Sequence, residues 1–344
     1  YLDDAFRRGA SGAIVAAGAP PPTEGAPLVI IDDPVHALQH LASAWRDILT
    51  ATIVGITGSN GKTTTRTLLT HLLGGPDAAF EAPSNYNTEI GLPLALLAMP
   101  EDARIGVFEL GAERPGDIGL LTAILRPGIG LITSIGPSHL DGMGSVEAVA
   151  REKARLVERL PETGLAVLNV DAPTLRNVAA RAPCSTVTVG LDHGTARGRI
   201  ERIVPELAVS LDDPPMQLRC PLLGRHNATN LLLAAVTAHQ LGAPSARIER
   251  RAESFVPVAH RLRAIRAPFG TILDDTYNAN PASTAGALEV LAECGAAPAQ
   301  RVFVFGEMCD LGPESPRYHR ETVDLAIRLG IGRIFPVGDA AVAA

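Results

Sequence analysis

Lysine is almost missing from this sequence. Of the 30 lysine and arginine residues, 28 are arginine, and lysine occurs only at Lys62 and Lys153. Lysine is ordinarily among the commonest residues, so arginine has replaced it nearly everywhere that a generic cation would serve. The two that remain are candidates for tasks that a guanidinium cannot perform, as a compact ammonium beside a phosphate or as an amine that gives up its proton. They could also be leftovers of the same replacement.

Other scarcities argue against whole classes of protein. The net charge of −7 leaves no excess of positive charge for a nucleic-acid partner. The four cysteines are far apart and include no C-x-x-C pair, which argues against a disulfide framework or a zinc site. No apolar run approaches the ~20 residues that span a bilayer, and the first residues, YLDDAFRR, are charged, unlike a signal peptide. The sequence therefore predicts a cytoplasmic protein without a membrane segment.

Length and pattern predict two or three domains with ample core. The 344 residues are 46% hydrophobic but only 4% aromatic, so the core consists mostly of Ala, Val, Leu and Ile. Residues 1–46, with a proline-rich turn at Pro20–Pro22, are typical of the tail of an N-terminal domain. Residues 47–255 form a central unit, and residues 256–344 a second, smaller α/β unit. The sequence begins with Tyr1 and stops soon after a predicted strand, so we expect a fragment of a longer protein.

The central unit begins with the stretch Gly55–Thr65, GITGSNGKTTT, which follows the apolar run Ala51–Val54. A strand, a glycine-rich turn and Lys-Thr-Thr at a helix start are typical of a phosphate-binding loop, because glycines let backbone N–H groups converge and the helix N-terminus adds its positive end. In that arrangement Lys62 reaches the terminal phosphates and the Thr63 hydroxyl binds Mg²⁺. The usual spacing requires glycine at Ile56, so the loop is a variant. A glycine-rich turn with an incidental lysine is the alternative.

From Ala51 onward, strand-like and helix-like runs alternate, which predicts a parallel sheet covered on both faces. Ligands gather outside the carboxyl ends of the strands in such sheets. The predicted strand Arg104–Leu110 carries Glu109 near that end, and the predicted strand Gly130–Ile135 runs into a loop with His139. Glu109 is therefore well placed to meet Mg²⁺. A solvated strand-end carboxylate and a structural or surface histidine are the alternatives.

Three further segments carry weaker signals. Asn85 and Asn87 lie in a polar loop that turn chemistry alone could explain. Ser145 is a predicted N-cap for the helix that carries Lys153, and on spacing alone Lys153 could be an ordinary exposed cation of that helix. Between about residues 186 and 223, short alternating runs with Gly and Pro turns predict a small antiparallel section appended to the parallel sheet.

Together these motifs resemble the Mur ligase family of peptidoglycan synthesis over nearly the whole chain. Those that carry the resemblance are, in chain order, GITGSNGKTTT at Gly55–Thr65, the loop of Asn85 and Asn87, FELG at Phe108–Gly111, SIGPSHLDGMGS at Ser134–Ser145, EKARL at Glu152–Leu156 and GRHNATN at Gly224–Asn230. Two more motifs, DDTYNANP at Asp274–Pro281 and GEMCDLG at Gly306–Gly312, are similar to the MurF type. The family places its phosphate-loop glycines as this chain does, which accounts for the variant spacing.

The resemblance implies a fold and a set of site residues. The fold is expected to be α/β, with a P-loop parallel-sheet central ATPase domain over residues 47–255, a truncated Rossmann-like ligase domain over 256–344, and the remnant of an N-terminal UDP-substrate-binding α/β domain over 1–46. The implied ATP-binding residues are Gly58, Ser59, Asn60, Gly61, Lys62, Thr63, Thr64, Asn227 at the adenine, Arg261 near the phosphates and Asp275 at the ribose. The implied catalytic and metal-binding residues are Lys62, Thr63, Glu109, His139 and Lys153, and the implied substrate contacts are Asn85, Asn87 and Asn278.

The implied reaction joins D-alanyl-D-alanine to UDP-N-acetylmuramoyl-tripeptide through an acyl phosphate, with ATP, two Mg²⁺ ions and a carbamate on Lys153. A carbamate forms only on a neutral amine, which is a physical reason why arginine would not replace this lysine. The expected partners are these small molecules, with no nucleic acid and no membrane, and the expected state is a monomer. MurE-type ligases, cyanophycin and folylpolyglutamate synthetases, and a P-loop kinase, NTPase or regulatory module without ligase activity are the alternatives.

Overall fold

The computed structural model describes residues 1–19, 25 and 27–344, so the expected turn at Pro20–Pro22 lies outside the described residues. Its helices are, in chain order, α1 Leu2–Arg7, α2 Pro34–Ile48, α3 Lys62–Leu73, α4 Gly91–Leu97, α5 Asp117–Leu125, α6 Leu140–Met143, α7 Val146–Glu158, α8 Pro173–Ala179, α9 Arg225–Gln240, α10 Ser245–Glu253, α11 Pro281–Glu293, α12 Ser315–Arg328 and α13 Asp339–Ala343. Its strands are β1 Ala13–Ala16, β2 Leu28–Ile31, β3 Thr52–Thr57, β4 Phe80–Glu81, β5 Ile105–Glu109, β6 Ile129–Ile132, β7 Leu165–Asn169, β8 Ser185–Gly190, β9 Ala196–Arg202, β10 Leu207–Leu211, β11 Met216–Cys220, β12 Arg263–Ala267, β13 Gly270–Asp274, β14 Val302–Gly306 and β15 Arg333–Val337. None of these described helices is both long and apolar enough to cross a membrane.

Strands β3 to β11 form one nine-stranded sheet in the order β11-β10-β9-β8-β7-β6-β3-β5-β4. Every neighbouring pair from β4 to β9 is parallel, and β9, β10 and β11 pair in antiparallel fashion. The parallel sheet predicted from the alternating pattern is confirmed. The antiparallel section is smaller than the pattern predicted, because β8 and the start of β9 still extend the parallel part.

Helices cover both faces of this sheet, and alternate residues of the central strand β3 point to opposite sides. Val54 and Ile56 pack with fully buried leucines of α3 and α9, whereas Ile53 packs with the layer formed by α2, α4 and α5. Each buried Leu or Ile stabilises the fold by about 1.5–3 kcal/mol relative to an exposed one. Burial on both faces fixes the strand that leads into the predicted phosphate loop.

Helix α2 connects the N-terminal residues to the sheet. The carboxylate of Asp33 caps it by accepting two backbone N–H groups at 2.9 and 3.0 Å, and Pro34 occupies the first turn, where no N–H donor is needed. Trp45 donates from Nε1 to the carbonyl of Met99 at 3.1 Å. The parallel pair of β1 and β2 therefore precedes a helix that is itself anchored to the central layers.

Strand β6 ends at Ile132, earlier than the predicted strand Gly130–Ile135. Beyond it the chain turns toward the loop after β3: Ser59 donates its N–H to the carbonyl of Ser134 at 2.9 Å, and the Ser134 hydroxyl accepts the N–H of Asn60 at 2.9 Å. These tertiary hydrogen bonds override the local strand pattern. Because the strand ends at Ile132, the hydroxyl groups of the next two residues, Thr133 and Ser134, contact Asn60 of the phosphate loop.

The C-terminal part of the chain adds two small sheets. Strands β12 and β13 form an antiparallel hairpin, and β14 and β15 form a parallel pair that packs with α11 and α12. One face of the parallel pair is exposed, including Val304 at 66% and Phe335 at 53%. A Rossmann-like identity for this part, and the domain boundaries after residues 46 and 255, stay predictions.

Candidate functional site

Two glycines shape the loop between β3 and α3. Gly58 has φ +154° and Gly61 has φ +85°. A Cβ atom would lie 1.9 Å from Oγ1 of Thr133 at the first position and 2.2 Å from Oδ1 of Asn230 at the second. Any side chain at either position would collide with a neighbour and strain the backbone, so this close approach of the loop to the sheet and to α9 requires glycine.

Lys62 is the first residue of α3, and its ammonium reaches back over the loop, where Nζ donates to the carbonyl of Gly58 at 2.8 Å. Desolvation in the cavity lowers the pKa of Lys62, against the opposing charge of Glu109. The positive end of α3, the N–H groups of its first turn and this ammonium converge on one point. The arrangement is suited to an anion such as a phosphate.

Glu109 ends β5 and forms a buried ion pair with Arg66 of α3, in which Oε1 lies 2.7 Å from Nη1 and both side chains are 4% exposed. Arg66 also donates from Nε to Glu81 at 2.9 Å and from Nη2 to the Ser84 hydroxyl at 3.1 Å. The Thr63 hydroxyl donates to Oε2 of Glu109 at 3.3 Å. Glu109 is therefore part of a buried charge network, and the alternative of a solvated strand-end carboxylate is wrong.

Lys153 is 2% exposed, so the alternative of an exposed helix cation is also wrong. Burial, followed by the charge of Lys62, lowers the pKa of Lys153 to about 7, against the raising effect of Glu152. That carboxylate accepts the N–H of Ile118 at 2.8 Å and pairs with Arg155 at 3.2 Å. Within the part of the chain that the structure describes, the Lys153 amine has no hydrogen bond or ion pair. It is an amine that loses its proton near neutral pH inside a cavity.

His139 follows β6 at the same edge of the sheet and has a left-handed backbone, with φ 50°, where α6 begins. Its Nδ1 lies 3.3 Å from Oδ2 of Asp310. Burial and the charge of Lys62 lower the pKa of His139, against the opposing effect of Asp310. The imidazole is therefore neutral at pH 7, the form in which a ring nitrogen can bind a metal.

The C-terminal part of the chain closes the cavity from the opposite side. Arg261 stacks its guanidinium over the ring of Tyr277, 3.7 Å from the ring centre, and the Tyr277 hydroxyl donates to Asn85. The amides of Asn60 in the loop and Asn280 before α11 exchange two hydrogen bonds, at 3.0 and 2.6 Å. These contacts join the two parts of the chain directly at the phosphate loop and at the loop of Asn85.

Two residues that are expected to bind the adenine and the ribose form hydrogen bonds to other residues of the protein. Asn227 donates from Nδ2 to the carbonyl of Leu223 and accepts from Nδ2 of Asn230, both at 2.9 Å. Asp275 accepts the N–H of Leu262 at 3.0 Å, and burial raises the pKa of its carboxyl group. Both residues line the cavity, and their contacts to a nucleotide stay predictions.

All sixteen residues that the sequence predicts for the site line one cavity of about 450 Å³. They include the proposed substrate contacts Asn85, Asn87 and Asn278. The carbonyl of Asn87 also accepts the N–H of Gly111 at 2.8 Å, which ties this loop to the residues after Glu109. The expected convergence of strand ends is therefore present, while the role of each residue stays a prediction.

Comparison with known proteins places the chain in a family. It matches the Mur ligase middle domain over residues 56–238 and the Mur ligase, glutamate ligase domain over residues 260–341. It is 31% identical over 346 residues to the UDP-N-acetylmuramoyl-tripeptide–D-alanyl-D-alanine ligase of Bacillus subtilis, covering 98% of this chain and 74% of that protein. This chain belongs to the Mur ligase family.

Solved structures of Mur ligases superpose closely on this chain. MurF from Acinetobacter baumannii superposes with a TM-score of 0.89 at 28% identity, covering 99% of this chain and 75% of that one. MurF from Thermotoga maritima in complex with ADP superposes with a TM-score of 0.88 at 27% identity, covering 99% of this chain and 79% of that one. The resemblance to the MurF type, predicted from the sequence, is confirmed.

Three functional residues are not predicted by the sequence: Arg66, which pairs with the cavity residue Glu109, and Asn280 and Asp310, which line this Mur ligase cavity. Arg66 lies three positions after Thr63 on one face of α3, so helical spacing was an available signal. Asn280 precedes a proline, which is typical of an N-cap, and its side chain accepts the N–H of Ser283 at 3.0 Å. Asp310 lies in the GEMCDLG motif, which indicates a subtype but not this contact, because its partner His139 is distant in the sequence.

The Mur ligase cavity offers part of a ligand set for a cation. Among the described residues, no three His, Cys, Asp or Glu side chains come together as a metal site. Oε1 of Glu109 is buried and is not aligned with Arg66 as a hydrogen bond, so it keeps a lone pair for another partner. The Thr63 hydroxyl lies beside this carboxylate. A carbamate on Lys153 would add a further acidic oxygen ligand, the type that Mg²⁺ prefers.

Proposed function

We propose that this chain is an ATP-dependent amide ligase of peptidoglycan precursor synthesis that joins D-alanyl-D-alanine to UDP-N-acetylmuramoyl-tripeptide. The observation that carries the proposal is Lys153, a buried amine with a lowered pKa that has no partner among the described residues and lies in the same cavity as Lys62 and Glu109. An NTPase without ligase activity needs the loop lysine and a carboxylate, but not a second amine that titrates near pH 7 beside them. The name of the Bacillus subtilis relative supports the substrates, and the ADP complex of the Thermotoga maritima MurF supports the nucleotide.

In this proposal residues 47–255 form the ATP-binding domain, residues 256–344 belong to the ligase domain, and residues 1–46 belong to a UDP-substrate-binding domain. The family matches over residues 56–238 and 260–341 lie inside the first two. The chain spans about three quarters of the length of the Bacillus subtilis relative. A monomeric state and a cytoplasmic location stay predictions.

The reaction makes an amide from a carboxylate and an amine. Bound ATP and Mg²⁺ would supply the activation, because transfer of the γ-phosphoryl group to the carboxylate gives ADP and an acyl phosphate from which the amine displaces phosphate. The incoming carboxylate and the phosphates repel each other by a few kcal/mol at ~4 Å inside a protein. Lys62, Arg261 and the N-terminus of α3 are the groups of this chain that would offset the repulsion.

The phosphate-loop residues Gly58 to Thr64 would hold the triphosphate, with Lys62 at its end. Thr63, Glu109 and His139 would hold two Mg²⁺ ions together with the modified Lys153. Around them, Asn227, Asp275 and Arg261 would bind the adenine, ribose and phosphates, and Asn85, Asn87 and Asn278 would contact the substrate.

Carbamylation of Lys153 would change the charge of the cavity. The neutral amine attacks CO₂, a nitrogen–carbon bond forms, one proton leaves to solvent, and a carbamate anion results. A buried cation beside Lys62 is unfavourable, whereas an anion at the same place attracts the ammonium of Lys62 and a metal ion. The lowered pKa of Lys153 supports this step, because it makes the neutral amine available near pH 7.

The C-terminal part of the chain would exclude water during the reaction. The paired amides of Asn60 and Asn280 and the bond from Tyr277 to Asn85 hold it against the mouth of the cavity. Water in the cavity would hydrolyse the acyl phosphate before the amine could attack. A closed cavity therefore favours amide formation over hydrolysis.

Phosphate release from ATP tests the proposal. The purified protein should release phosphate only when UDP-N-acetylmuramoyl-tripeptide and D-alanyl-D-alanine are both present, and Lys62→Met should abolish the release. Release that needs neither substrate would identify a simple NTPase and overturn the proposal. A panel of other amines, including free amino acids, distinguishes the MurF type from other ligases of the family.

A further inference from the structure

His139 and Asp310 face each other in the cavity, although they come from distant parts of the chain. Nδ1 of His139 lies 3.3 Å from Oδ2 of Asp310, and the carbonyl of Asp310 accepts the N–H of Asp141 at 3.3 Å. Both partners have a left-handed backbone, with φ 50° at His139 and φ 59° at Asp310. Such strain in residues other than glycine persists only where the surroundings enforce it, and it concentrates at functional sites.

The loop that carries Asp310 is firmly anchored. Met308 and Leu311, on either side of it, are 1% and 2% exposed and pack with Phe305. Leu140 packs against the same cluster from the other side of the cavity. Hydrophobic packing therefore fixes the backbone on both sides of the contact, while the carboxylate of Asp310 stays 60% exposed.

Orientation, rather than stability, is what this contact can provide. An exposed ion pair contributes only about 0–1 kcal/mol. A neutral imidazole carries one proton, and its other nitrogen is free to bind a metal. A carboxylate beside Nδ1 favours the proton at that position and leaves Nε2 as the ligand, an arrangement common among metal-binding histidines. The other charged groups that act on His139 are Lys62, Lys153 and Glu113, and the two lysines disfavour a second proton on the ring.

We propose that Asp310 is a positioning residue for His139: the negative charge of its carboxylate, 3.3 Å from Nδ1, favours the ring proton at Nδ1 and leaves Nε2 for the cation. The inference rests on the metal role of His139 in the proposed function. Because Asp310 belongs to the C-terminal part of the chain, His139 is oriented only while that part is packed against α6. The GEMCDLG motif, which indicated only a subtype in the sequence, gains a chemical role through its aspartate.

The tautomer of His139 in the metal-free protein tests this inference. It is read from the ¹⁵N NMR signals of the imidazole, assigned by their loss in His139→Gln. We expect the Nδ1–H form in the wild-type protein and a shift to the Nε2–H form in Asp310→Gly, a variant that keeps the positive φ without strain. Asp310→Asn tolerates the same backbone and keeps an oxygen acceptor, so it should retain most of the Nδ1–H form. The matched control Asp324→Ala, at an exposed position of α12, should leave the signals unchanged.

Binding of Mn²⁺ alone, followed by electron paramagnetic resonance, gives a second readout. Asp310→Gly should weaken Mn²⁺ binding by about 10-fold or more, and Asp310→Asn by less. An unchanged tautomer or an unchanged Mn²⁺ affinity in Asp310→Gly would overturn the inference. A wild-type protein without ligase activity would count against the proposed function instead, because neither readout depends on turnover.

Discussion

The two walls of the cavity are built in different ways. On the central wall, Glu109 and Lys153 are only 3% and 2% exposed, and Arg66, which does not line the cavity itself but pairs with Glu109, is 3% exposed. On the C-terminal wall, Tyr277 is 47% exposed and the carboxylate of Asp310 is 60% exposed. The C-terminal wall meets the central one through hydrogen bonds, an amide pair and an ion pair at the cavity. Apolar contacts, of Leu140 with the Phe305 cluster and of Leu223 with Leu262 and Val290, join the same two parts of the chain.

This difference indicates how each wall responds to substitution. Charged groups inside a core must be paired or neutral, so changing one alters the free energy of unfolding as well as the chemistry. Exposed contacts add little stability, so changing them should alter activity while the protein stays folded.

Lys153→Ala should lower the rate of substrate-dependent phosphate release by about 10²–10³-fold, the loss typical of removing one group that stabilises developing charge. The reason is that no carbamate can form and the metal loses a ligand. Acetate or another small carboxylic acid should restore part of the rate by entering the space left by the side chain. Activity within a few-fold of the wild-type value would show that Lys153 is only a packing residue.

Lys153→Arg is the matched control for charge. A guanidinium stays protonated at any usable pH and cannot form a carbamate, so this variant should be as inactive as Lys153→Ala. Acids should not rescue it, because its side chain still fills the space. It should also be less stable than the wild type, since the added cation is buried without a partner.

Arg66→Met should destabilise the protein by about 3–5 kcal/mol, because it leaves the buried carboxylate of Glu109, and Glu81 beside it, without their cation. Urea unfolding measures the loss. The control is Arg317→Met, since Arg317 also lies between two glutamates but is 53% exposed. Its loss should stay below about 1 kcal/mol. Equal losses in the two variants would contradict the contrast between the walls.

Much of the central wall was predictable from the sequence. The parallel sheet follows from alternating strand and helix patterns, and strand ends of such a sheet meet at one edge. This geometry predicts that Glu109 and His139, which follow different strands, lie near Lys62. All three residues line the same cavity. The near absence of lysine is a further signal, because it singles out Lys153 on the sequence alone.

The contacts between the walls were not predictable in the same way. Asn60 and Asn280 are far apart in the sequence, and each is explained locally, one by a glycine-rich loop and the other by a helix N-cap. Their pairing depends on how the C-terminal part packs, which no local pattern encodes. The ion pair of Arg66 with Glu109 is similar, since burial decides whether a helix arginine faces solvent or a carboxylate.

Stability should also depend on pH through Lys153. Its pKa is about 7 in the folded protein, against the ordinary value of 10.5, so between these values the unfolded chain binds the extra proton. The free energy of unfolding should therefore rise with pH over this window, on the order of a few kcal/mol. Lys153→Met should lose the part of this rise that comes from Lys153 and keep the part that comes from Lys62, whose pKa is also lowered. Urea unfolding of both proteins at several pH values, in buffer depleted of CO₂, measures it, and parallel curves would argue against a buried amine.

The smallest expected effect concerns the amide pair that joins the walls. Asn280→Ser keeps a side-chain cap for α11 but loses the pairing, whereas Asn280→Ala loses both and should cost about 1 kcal/mol more stability. Asn60→Ala removes the partner amide and keeps the backbone bonds of the loop. In a double-mutant cycle of Asn60→Ala and Asn280→Ser, kcat/KM for ATP in the double variant should be about fivefold higher than the two single effects predict, which corresponds to about 1 kcal/mol. The reason is that both substitutions remove the same interaction. Additive effects would mean that the pair does not act across the cavity and that the C-terminal wall is held by its other contacts.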